Sequence, residues 1–473
     1  MFRSFYAILF LGLFAFSCKE ENATKDAPAF IGGEIINPKD AFVKLYRNGK
    51  IVDSVALDKK NHFKLSIPKI NEGLYYFSHG REYQYVYLAA NDSVLLRLNT
   101  LDFDESLAFC GSGSEKNNLL IKLFLLNEKN NHKKYIDLDP KAFDKKQREL
   151  TQEKVQLVQK FKSNNETDFS KKFQDLINVA VYYPEYTRKE LYPIQYMQIR
   201  QLDSFPKTTS TFYDFEKNIA FNNEELLSNR NYYTFLDSYF TRKTYLEYFE
   251  KRNKAIPNSE KKGFVLHKLD QIKNTIKNKK VKDNLIQYNI VQYAYNNPME
   301  TGVLEAFKNY LKELDDADFK KELTRVLTNY ANLASGEKAP KIYLHNTKGD
   351  ITSIAKLAEK KFTMFYFWTV EDTKYLVGMN NRIKALKKAF PKVQFVAINV
   401  DSSKSNWQLI AKEKGLELAN LYQLENTSDL SQKLSLTTLS NVIVTTPNAK
   451  IITAFENLFS PRLPHVLNLS NKR

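Results

Sequence analysis

The sequence predicts a multidomain chain with an N-terminal all-β sandwich, a central α-helical region and a C-terminal α/β fold. Three observations predict this division. Apolar and polar residues alternate between 29 and 111, apolar residues recur every three or four positions between 115 and 333, and nearly continuous apolar runs appear after 336. With 473 residues, of which 43% are hydrophobic and 26% charged, the chain can bury several cores.

The first 28 residues are interpreted as an export signal and a tether. After a short positive start that contains Arg3, a twelve-residue apolar run covers 5–16. This run is shorter than the about 20 residues that a membrane-spanning helix needs. Ala15-Phe16-Ser17-Cys18 then resembles the lipobox of bacterial lipoproteins, although Ala15 stands where that family most often has Leu. The resemblance implies removal of a signal peptide over 1–17, lipidation of Cys18 and a tether over 18–28; an uncleaved anchor and a chance cysteine are the alternatives.

Lipidation would attach the protein to the cell envelope. Each buried CH₂ of an acyl chain contributes about 0.8 kcal/mol, and more than one chain is needed for a stable anchor. Lys19-Glu20-Glu21 resembles the surface-export signal of some Gram-negative lipoproteins. We therefore expect an outer-membrane protein, on the periplasmic face or at the cell surface. Its expected partners are the membrane, through the lipid, and an envelope protein or glycan.

The charge and the histidines argue against several other classes of protein. The formal net charge is +17, but acidic residues are interleaved with most basic ones, and no nucleic-acid motif accompanies short runs such as 277–280. A nucleic-acid partner is therefore not expected. No two of the six histidines have the spacing of metal ligands, and there is no phosphate-binding glycine loop. No metal or cofactor is predicted.

The β region, 29–111, carries one strong hairpin signal and one cysteine. Asn48-Gly49 separates two alternating runs, and both residue types tolerate positive φ, so a β-hairpin is predicted there. Cys110 follows the apolar segment 107–109, which predicts a buried and inert thiol. Because Cys18 is expected to carry lipid, Cys110 would be the single free thiol and could not form a disulfide within the chain.

The helical region, 115–333, shows apolar stripes with helical spacing. Examples are Leu304, Phe307 and Leu311, and then Leu323, Val326 and Tyr330. Prolines are expected to divide the region into several helices, at Pro184, Pro193, Pro206, Pro257 and Pro298. A cluster of aromatic residues would either pack helices together or line a ligand groove; its members are Tyr232, Tyr233, Phe235, Tyr239 and Phe240.

The last region, 336–473, has the pattern of an α/β fold. The apolar run 362–368 is typical of a central strand that is buried on both faces. A helical stretch over 372–390 leads to a second apolar run over 393–400, which predicts a right-handed βαβ unit. Further on, the segments 442–444 and 451–452 flank a Pro-Asn turn and predict an antiparallel hairpin. A helical segment is expected from about Ser460 onward.

Several short motifs in this region carry a family resemblance. They are, in order, Gly336-Glu337-Lys338-Ala339-Pro340, Leu344 with Lys348-Gly349, Phe367-Trp368, and Asp401 with Trp407. Their order resembles the thiol–disulfide oxidoreductase lipoproteins of the thioredoxin superfamily, the TlpA/ResA-like group. A β domain, a helical middle and a terminal thioredoxin-like fold are similar to a common architecture of that group, so the resemblance covers the mature chain.

The chain departs from this family where the family performs its chemistry. In the family, Phe-Trp is followed after three residues by Cys-x-x-Cys; here those two positions hold Asp372 and Tyr375. A carboxylate cannot form a mixed disulfide, so Asp372 is predicted to be the N-cap of the following helix. The family also has a cis-proline before the later strand, and Leu439-Ser440 occupies the equivalent place. The resemblance therefore implies a degenerate member without catalytic residues.

Three functional hypotheses follow from these features. The first is an envelope-anchored lipoprotein with a binding or scaffold role. The second is a thiol–disulfide oxidoreductase that acts with a partner through Cys110, which requires that thiol to be exposed. The third is a different enzyme with a substrate cleft in the aromatic-rich helical region, which requires a deep pocket with convergent polar groups.

Overall fold

The computed structural model describes most of the chain, and the described residues form two compact units. The first unit runs up to Ile199 and includes Pro206–Lys217 and Glu225–Phe235, and the second comprises Arg200–Phe205, Asn218–Glu224 and the chain from Leu236 onward. The described residues are 27–80, 82–130, 134–164, 169–251, 261–298, 300, 302–370, 372–401, 407–416, 420–435 and 438–471. Cys18 and the predicted signal peptide lie outside them, as do Pro257 and most of the tether.

The first unit begins with eight strands. They are β1 (Ala29–Ile36), β2 (Phe42–Arg47), β3 (Lys50–Ala56), β4 (His62–Ile67), β5 (Gly73–His79), β6 (Glu82–Leu88), β7 (Ser93–Asn99) and β8 (Ala108–Ser112). They form two four-stranded sheets, in the orders β4-β1-β7-β8 and β3-β2-β5-β6. Both sheets contribute to one hydrophobic core, with Ile31 and Leu96 from the first and Leu45 and Phe77 from the second. This arrangement is a β-sandwich.

The hairpin between β2 and β3 forms where it was predicted. Asn48 and Gly49 have φ values of 48° and 76°, which is the left-handed conformation that a tight hairpin turn requires at both central positions. The two strands pair antiparallel from Phe42 opposite Ala56 to Arg47 opposite Lys50. The turn fixes the register of the pairs next to it, and the register shifts between Leu45 and Tyr46.

Helices complete the first unit. They are α1 (Phe103–Ser106), α2 (Ser114–Lys129), α3 (Pro140–Asn164), α4 (Lys171–Arg200) and the first part of α5 (Arg230–Lys251), with short 3₁₀ turns at Asp214–Asn218 and Glu224–Leu226. The predicted helical domain, 115–333, is thus divided between the two units, and the division falls within α5.

The prediction that Pro184 and Pro193 end helices is wrong. Both lie inside α4, which continues for 30 residues. A proline inside a helix removes one donor and frees the carbonyl four residues earlier. At Pro184 that carbonyl belongs to Ala180, and the Asn127 side chain donates to it at 3.4 Å. Burial of a long apolar face along α4 outweighs the remaining cost.

The second unit contains the rest of α5 and all later elements. Its helices are α6 (Lys262–Thr275), α7 (Lys279–Asn296), α8 (Val303–Glu313), α9 (Ala317–Asn332), α10 (Ile354–Leu357), α11 (Thr373–Ala389), α12 (Trp407–Glu413), α13 (Asp429–Gln432) and α14 (Leu463–Leu467), and a 3₁₀ turn follows at Asn468–Asn471. Its strands are β9 (Tyr343–Asn346), β10 (Ile351–Ser353), β11 (Thr363–Trp368), β12 (Gln394–Asn399), β13 (Leu421–Leu424), β14 (Asn441–Thr445) and β15 (Ile451–Asn457).

These strands form one seven-stranded sheet in the order β10-β9-β13-β12-β11-β14-β15. β11 is parallel to β12 and β12 is parallel to β13, whereas β14 is antiparallel to both β11 and β15. The predicted succession of strand, helix and parallel strand is confirmed, and so is the predicted antiparallel hairpin. The helix between β11 and β12 is α11, whose bounds agree with the predicted stretch within one residue.

The central strand β11 is buried on both faces, as its continuous apolar run predicts. Met364 and Trp368 lie in one core with Leu376 and Met379 of α11. Phe365 and Phe367 lie in a second core on the other face of the sheet. Of the helices in the described ranges, none is both long and apolar enough to cross a membrane.

Candidate functional site

The first turn of α11 is held by its N-cap, Asp372. The Asp372 carboxylate accepts a hydrogen bond from the backbone N–H of Tyr375 at 2.9 Å. This contact satisfies one of the donors that a helix leaves unpaired at its start, and the negative charge complements the helix dipole. The predicted capping role of Asp372 is confirmed.

Tyr375 is partly buried at the same turn. Its hydroxyl lies 2.8 Å from the carbonyl oxygen of Leu439 and 3.1 Å from that of Phe367. The ring also packs edge-on against Phe459, with the ring centroids 6.2 Å apart. Burial, together with the nearby carboxylate of Asp372, raises the pKa of Tyr375. The side chain is therefore a neutral hydrogen-bond donor that joins the end of β11 to the segment before β14.

Leu439 and Ser440 lie directly before β14, facing the first turn of α11 through the Tyr375 hydrogen bond. Ser440 is tied into its surroundings. Its hydroxyl accepts a hydrogen bond from Asn457 at 2.8 Å, and its backbone carbonyl accepts one from Leu458 at 2.7 Å. The structure thus brings Asp372, Tyr375, Leu439 and Ser440 together at one place, where they form one polar cluster. Within it, Tyr375 and Leu439 are 64 positions apart in the sequence.

A second polar cluster occupies the carboxyl ends of the parallel strands β11, β12 and β13. The Asp401 carboxylate accepts hydrogen bonds from the Thr369 hydroxyl, from the Val370 N–H at 2.9 Å and from the Asn399 side chain at 2.7 Å. The Gln423 side chain donates to the Asp401 backbone carbonyl at 3.2 Å. The carboxyl edge of parallel strands is a frequent ligand site in α/β folds. Here its carboxylate is occupied in joining β11 to β12.

Among the described side chains, the first turn of α11 supplies a carboxylate from Asp372 and a neutral phenol from Tyr375, which face backbone carbonyls. In the described parts of the chain, no group of three or more His, Cys, Asp or Glu residues could hold a metal ion.

The prediction that Cys110 is buried is wrong, because its side chain is exposed. Cys110 lies on β8, the last strand of its sheet, and residues of a strand alternate between its faces. Phe109 takes the buried face, so Cys110 points to solvent. It borders an open groove of about 490 Å³ that His62 and Arg97 also line. Apolar neighbours on a strand indicate that one face is buried, but alternate side chains face solvent.

The aromatic cluster predicted in the helical region is mainly packing. Tyr232, Phe235 and Phe240 are at most 1% exposed. None of the five predicted members lines either of the two cavities described next, whereas residues just before them do.

Two adjoining cavities lie within the first unit. One has a volume of about 260 Å³ and the other of about 480 Å³, and they share Phe124, Asn127, Arg230 and Asn231. The smaller cavity has apolar walls from α2 and α4, such as Leu120 and Leu176, and polar groups from β6 and α1. The third functional hypothesis requires a pocket with convergent polar groups, and the smaller cavity has this character. The cavity lies beside the β-sandwich, however, and the predicted aromatic cluster does not line it.

The polar side of the smaller cavity is organised around Gln84. Its side-chain amide donates to the Asp104 carboxylate at 2.8 Å and accepts from the Tyr85 N–H at 2.8 Å. Burial raises the pKa of Asp104, and the Gln84 amide acts in the opposite direction. Burial raises the pKa of Tyr85 to about 12. These groups were not predicted, although the alternation Tyr83, Tyr85, Tyr87 in the sequence was a visible signal.

Comparisons with known proteins were made on sequence and on structure. No protein-family model matches the chain, and no curated protein matches it. Among solved structures, the thioredoxin domain of a thiol–disulfide oxidoreductase from Bacteroides vulgatus is similar at 18% identity with a TM-score of 0.25, covering 29% of this chain and 97% of that one. A thiol:disulfide interchange protein from a Bacteroides species is similar at 18% identity with a TM-score of 0.26, covering 30% of this chain and 92% of that one.

Proposed function

We propose that the protein is an envelope-anchored lipoprotein whose C-terminal domain is thioredoxin-like but acts in binding, as a scaffold, and not in thiol–disulfide exchange. In this proposal Asp372 and Tyr375 stand at the former dithiol positions, and Leu439-Ser440 stands at the former cis-proline position. The domain would be a pseudoenzyme, which keeps the fold of a redox family without its reactive groups.

One observation carries this proposal: the Tyr375 hydroxyl is hydrogen-bonded to the carbonyl of Leu439. A dithiol enzyme needs open space and a thiolate between these two segments, so that a substrate disulfide can approach. Here a phenol ring and its hydrogen bond occupy the space between them. A two-electron exchange needs two sulfur atoms, and neither position supplies one.

Disulfide reduction by the full chain tests the proposal. Insulin reduction by dithiothreitol would be followed with the wild type, with a thioredoxin as positive control and with a Cys110→Ser variant as matched control. We expect the wild type and the variant to give the rate of dithiothreitol alone. Disulfide reduction by both the wild type and the variant would overturn the proposal, since the Cys110→Ser variant has no thiol at position 110.

Lipid anchoring is tested separately from redox activity. Cells expressing the full chain would be grown with an alkyne-bearing fatty acid, and the protein would be examined for label in the outer-membrane fraction. We expect label in the wild type and in Cys110→Ala, and none in Cys18→Ala. Label that persists in Cys18→Ala, or its absence from the wild type, would overturn the anchoring part.

A second candidate function, exchange with a partner through Cys110, is favoured by the exposure of that thiol. Its thiolate would attack a partner disulfide, form a mixed disulfide and release one partner thiol. A second partner thiol would then have to resolve the bond, because the chain has no further free cysteine when Cys18 is acylated. Trapping of mixed disulfides by wild type and not by Cys110→Ser would support it; equal recovery from both would exclude it.

A further inference from the structure

We infer that the larger of the two cavities in the first unit, about 480 Å³ in volume, binds a small organic acid that carries one carboxylate on an apolar body. The inference concerns the first unit and does not depend on the role proposed for the C-terminal domain. We call this site the arginine cavity, because Arg188 of α4 and Arg230 of α5 both line it.

A buried ion cluster lies beside the arginine cavity. The Glu185 carboxylate accepts a hydrogen bond from Nη1 of Arg188 at 2.9 Å and forms an ion pair with Nζ of Lys154. The side chains of Lys154 and Glu185 are each 2% exposed, and that of Arg188 is 11% exposed. Lys154 also donates to the side-chain oxygen of Asn127 at 2.8 Å. Asn127 and Arg188 line the cavity, so the cluster reaches its wall.

The charges of this cluster do not balance. Two cations share one carboxylate, which leaves an excess of one positive charge. Glu153 also acts on Lys154, but it is exposed and water screens its charge. A buried charge without a counter-ion is costly because it has lost its hydration. Burial lowers the pKa of Lys154, with Glu185 acting in the opposite direction, as that cost requires. An anion bound at Arg188 would supply the missing negative charge.

The two arginines retain donors for such an anion. Arg188 donates to Glu185 and, at 3.5 Å, to the backbone carbonyl of Asn127, which leaves further N–H groups of its guanidinium for a ligand. Arg230 forms no ion pair with any residue in the described ranges. A guanidinium presents paired N–H groups that match the two oxygens of a carboxylate. The cavity is also lined by hydroxyl and amide side chains, those of Thr187, Gln195, Asn231 and Thr234.

The amount of excess charge favours a carboxylate over a phosphate ester. Glu128 lines the arginine cavity as well, and in the charge count it offsets Arg230. The single positive charge of the buried cluster then remains, and one carboxylate balances it. A phosphate monoester carries about 1.5 to 2 negative charges at pH 7 and would exceed it.

The apolar body of the acid has a place in the same cavity. Its apolar walls are formed by Phe124, Ile136, Phe143 and Leu191. Apolar walls with a few polar groups are typical of ligand sites, and about 480 Å³ lies within their usual range of about 300–1,000 Å³. The smaller cavity suits a carboxylate less well, because Glu82 and Asp104 line it. Burial and neighbouring acidic side chains raise the pKa of Asp104, so a further negative charge there would be repelled.

Isothermal titration of the full chain in detergent solution with 3-phenylpropanoate and with hexanoate tests the inference, after subtraction of titrations into detergent alone. We expect at least one of these carboxylates to bind, and its uncharged amide to bind about tenfold more weakly or not at all. Arg188→Met leaves Lys154 and Glu185 as a balanced pair and should weaken carboxylate binding by about tenfold or more, whereas Arg188→Lys keeps the charge and should lose less. Arg230→Met is a second variant in case Arg188→Met does not fold. Arg97→Met, at an exposed arginine of β7, is the matched control and should bind as wild type does.

Failure of both carboxylates to bind would overturn the inference, as would an amide that binds as tightly as its acid. Carboxylate binding that Arg188→Met and Arg230→Met both leave unchanged would also overturn it, because the acid would then lie elsewhere. Tighter binding of 2-phenylethyl phosphate than of 3-phenylpropanoate would overturn the assignment of a single excess charge, and with it the ligand class. These titrations do not measure disulfide reduction, so the inference and the proposed function can fail independently.

Discussion

The hydroxyl of Tyr375 donates a hydrogen bond to the carbonyl oxygen of Leu439 across 2.8 Å, joining the first turn of α11 to the segment that enters β14. In the proposed function, Tyr375 stands at a former dithiol position, and Leu439-Ser440 stands at the former cis-proline position. The bond is partly buried, with Phe459 against the ring. A partly buried donor and acceptor that satisfy each other stabilise the fold.

The first prediction concerns the strength of this bond. Tyr375→Phe keeps the ring but leaves the Leu439 carbonyl without its donor, so we expect the free energy of unfolding to fall by about 1–2 kcal/mol. Urea denaturation followed by circular dichroism measures it. Tyr343→Phe, at a tyrosine that is 49% exposed, is the control and should change stability by less than about 0.5 kcal/mol. Equal effects of the two variants would contradict a stabilising hydrogen bond from Tyr375 to Leu439.

The second prediction concerns how the difference in stability between the wild type and Tyr375→Phe depends on pH. Burial raises the pKa of Tyr375 above the ordinary value of 10.0. The unfolded chain therefore releases the proton at a lower pH than the folded chain, and the contribution of Tyr375 to stability is complete below about pH 10 and is lost as the pH rises above it. The stability difference between wild type and Tyr375→Phe should narrow between about pH 10 and 11.5. A difference that widens over this range would contradict the assignment.

The third prediction concerns the helix cap. Asp372→Ala removes the acceptor for the Tyr375 N–H and should cost about 1 kcal/mol of unfolding free energy. Asp372→Asn keeps an acceptor of similar quality and should lose only about 0.3–1 kcal/mol, through the helix dipole. Denaturant melts of both variants test this order. A larger loss in Asp372→Asn than in Asp372→Ala would show that Asp372 does not act as a cap.

The sequence predicts the C-terminal fold well because one strong signal recurs there. A run such as Met364 to Trp368 is apolar on both faces, and only a central strand with a helix layer on each side can bury it. The cap at Asp372 was equally predictable, since a capping residue acts within its own turn. These predictions depend only on contacts within one helical turn and on the pattern of apolar residues along one strand.

Other features depend on contacts that are distant in sequence. Pro184 indicates a helix end when the local rule is applied, but packing of α4 and the donor from Asn127 keep the helix continuous. The exposure of Cys110 follows from alternation along β8, but which face of that strand is buried depends on how the two sheets pack, with Phe109 in their shared core. The alignment of Tyr46, Tyr76 and Tyr85 across β2, β5 and β6 requires the register of three strands, which the spacing of the residues alone does not supply.

The fourth prediction is the reactivity of Cys110. Because the side chain is exposed, a maleimide should label the native full chain to the same extent as the urea-unfolded chain. Mass spectrometry of tryptic peptides locates the label, and Cys110→Ser should carry none at this position. Labelling that appears only after unfolding would mean that the thiol is covered in the native protein, and it would exclude the exchange function through Cys110.

The central claim, that the chain holds no working dithiol, is tested most directly by its intact mass after equilibration with reduced and then oxidised glutathione. We predict that protein isolated from membranes changes only by reversible addition of glutathione at Cys110, and that Cys110→Ser does not change at all. A species lighter than the reduced chain by about two hydrogen masses would be an internal disulfide. Its appearance would contradict both the absence of a working dithiol and the lipid on Cys18, because Cys18 and Cys110 are the two cysteines of the sequence.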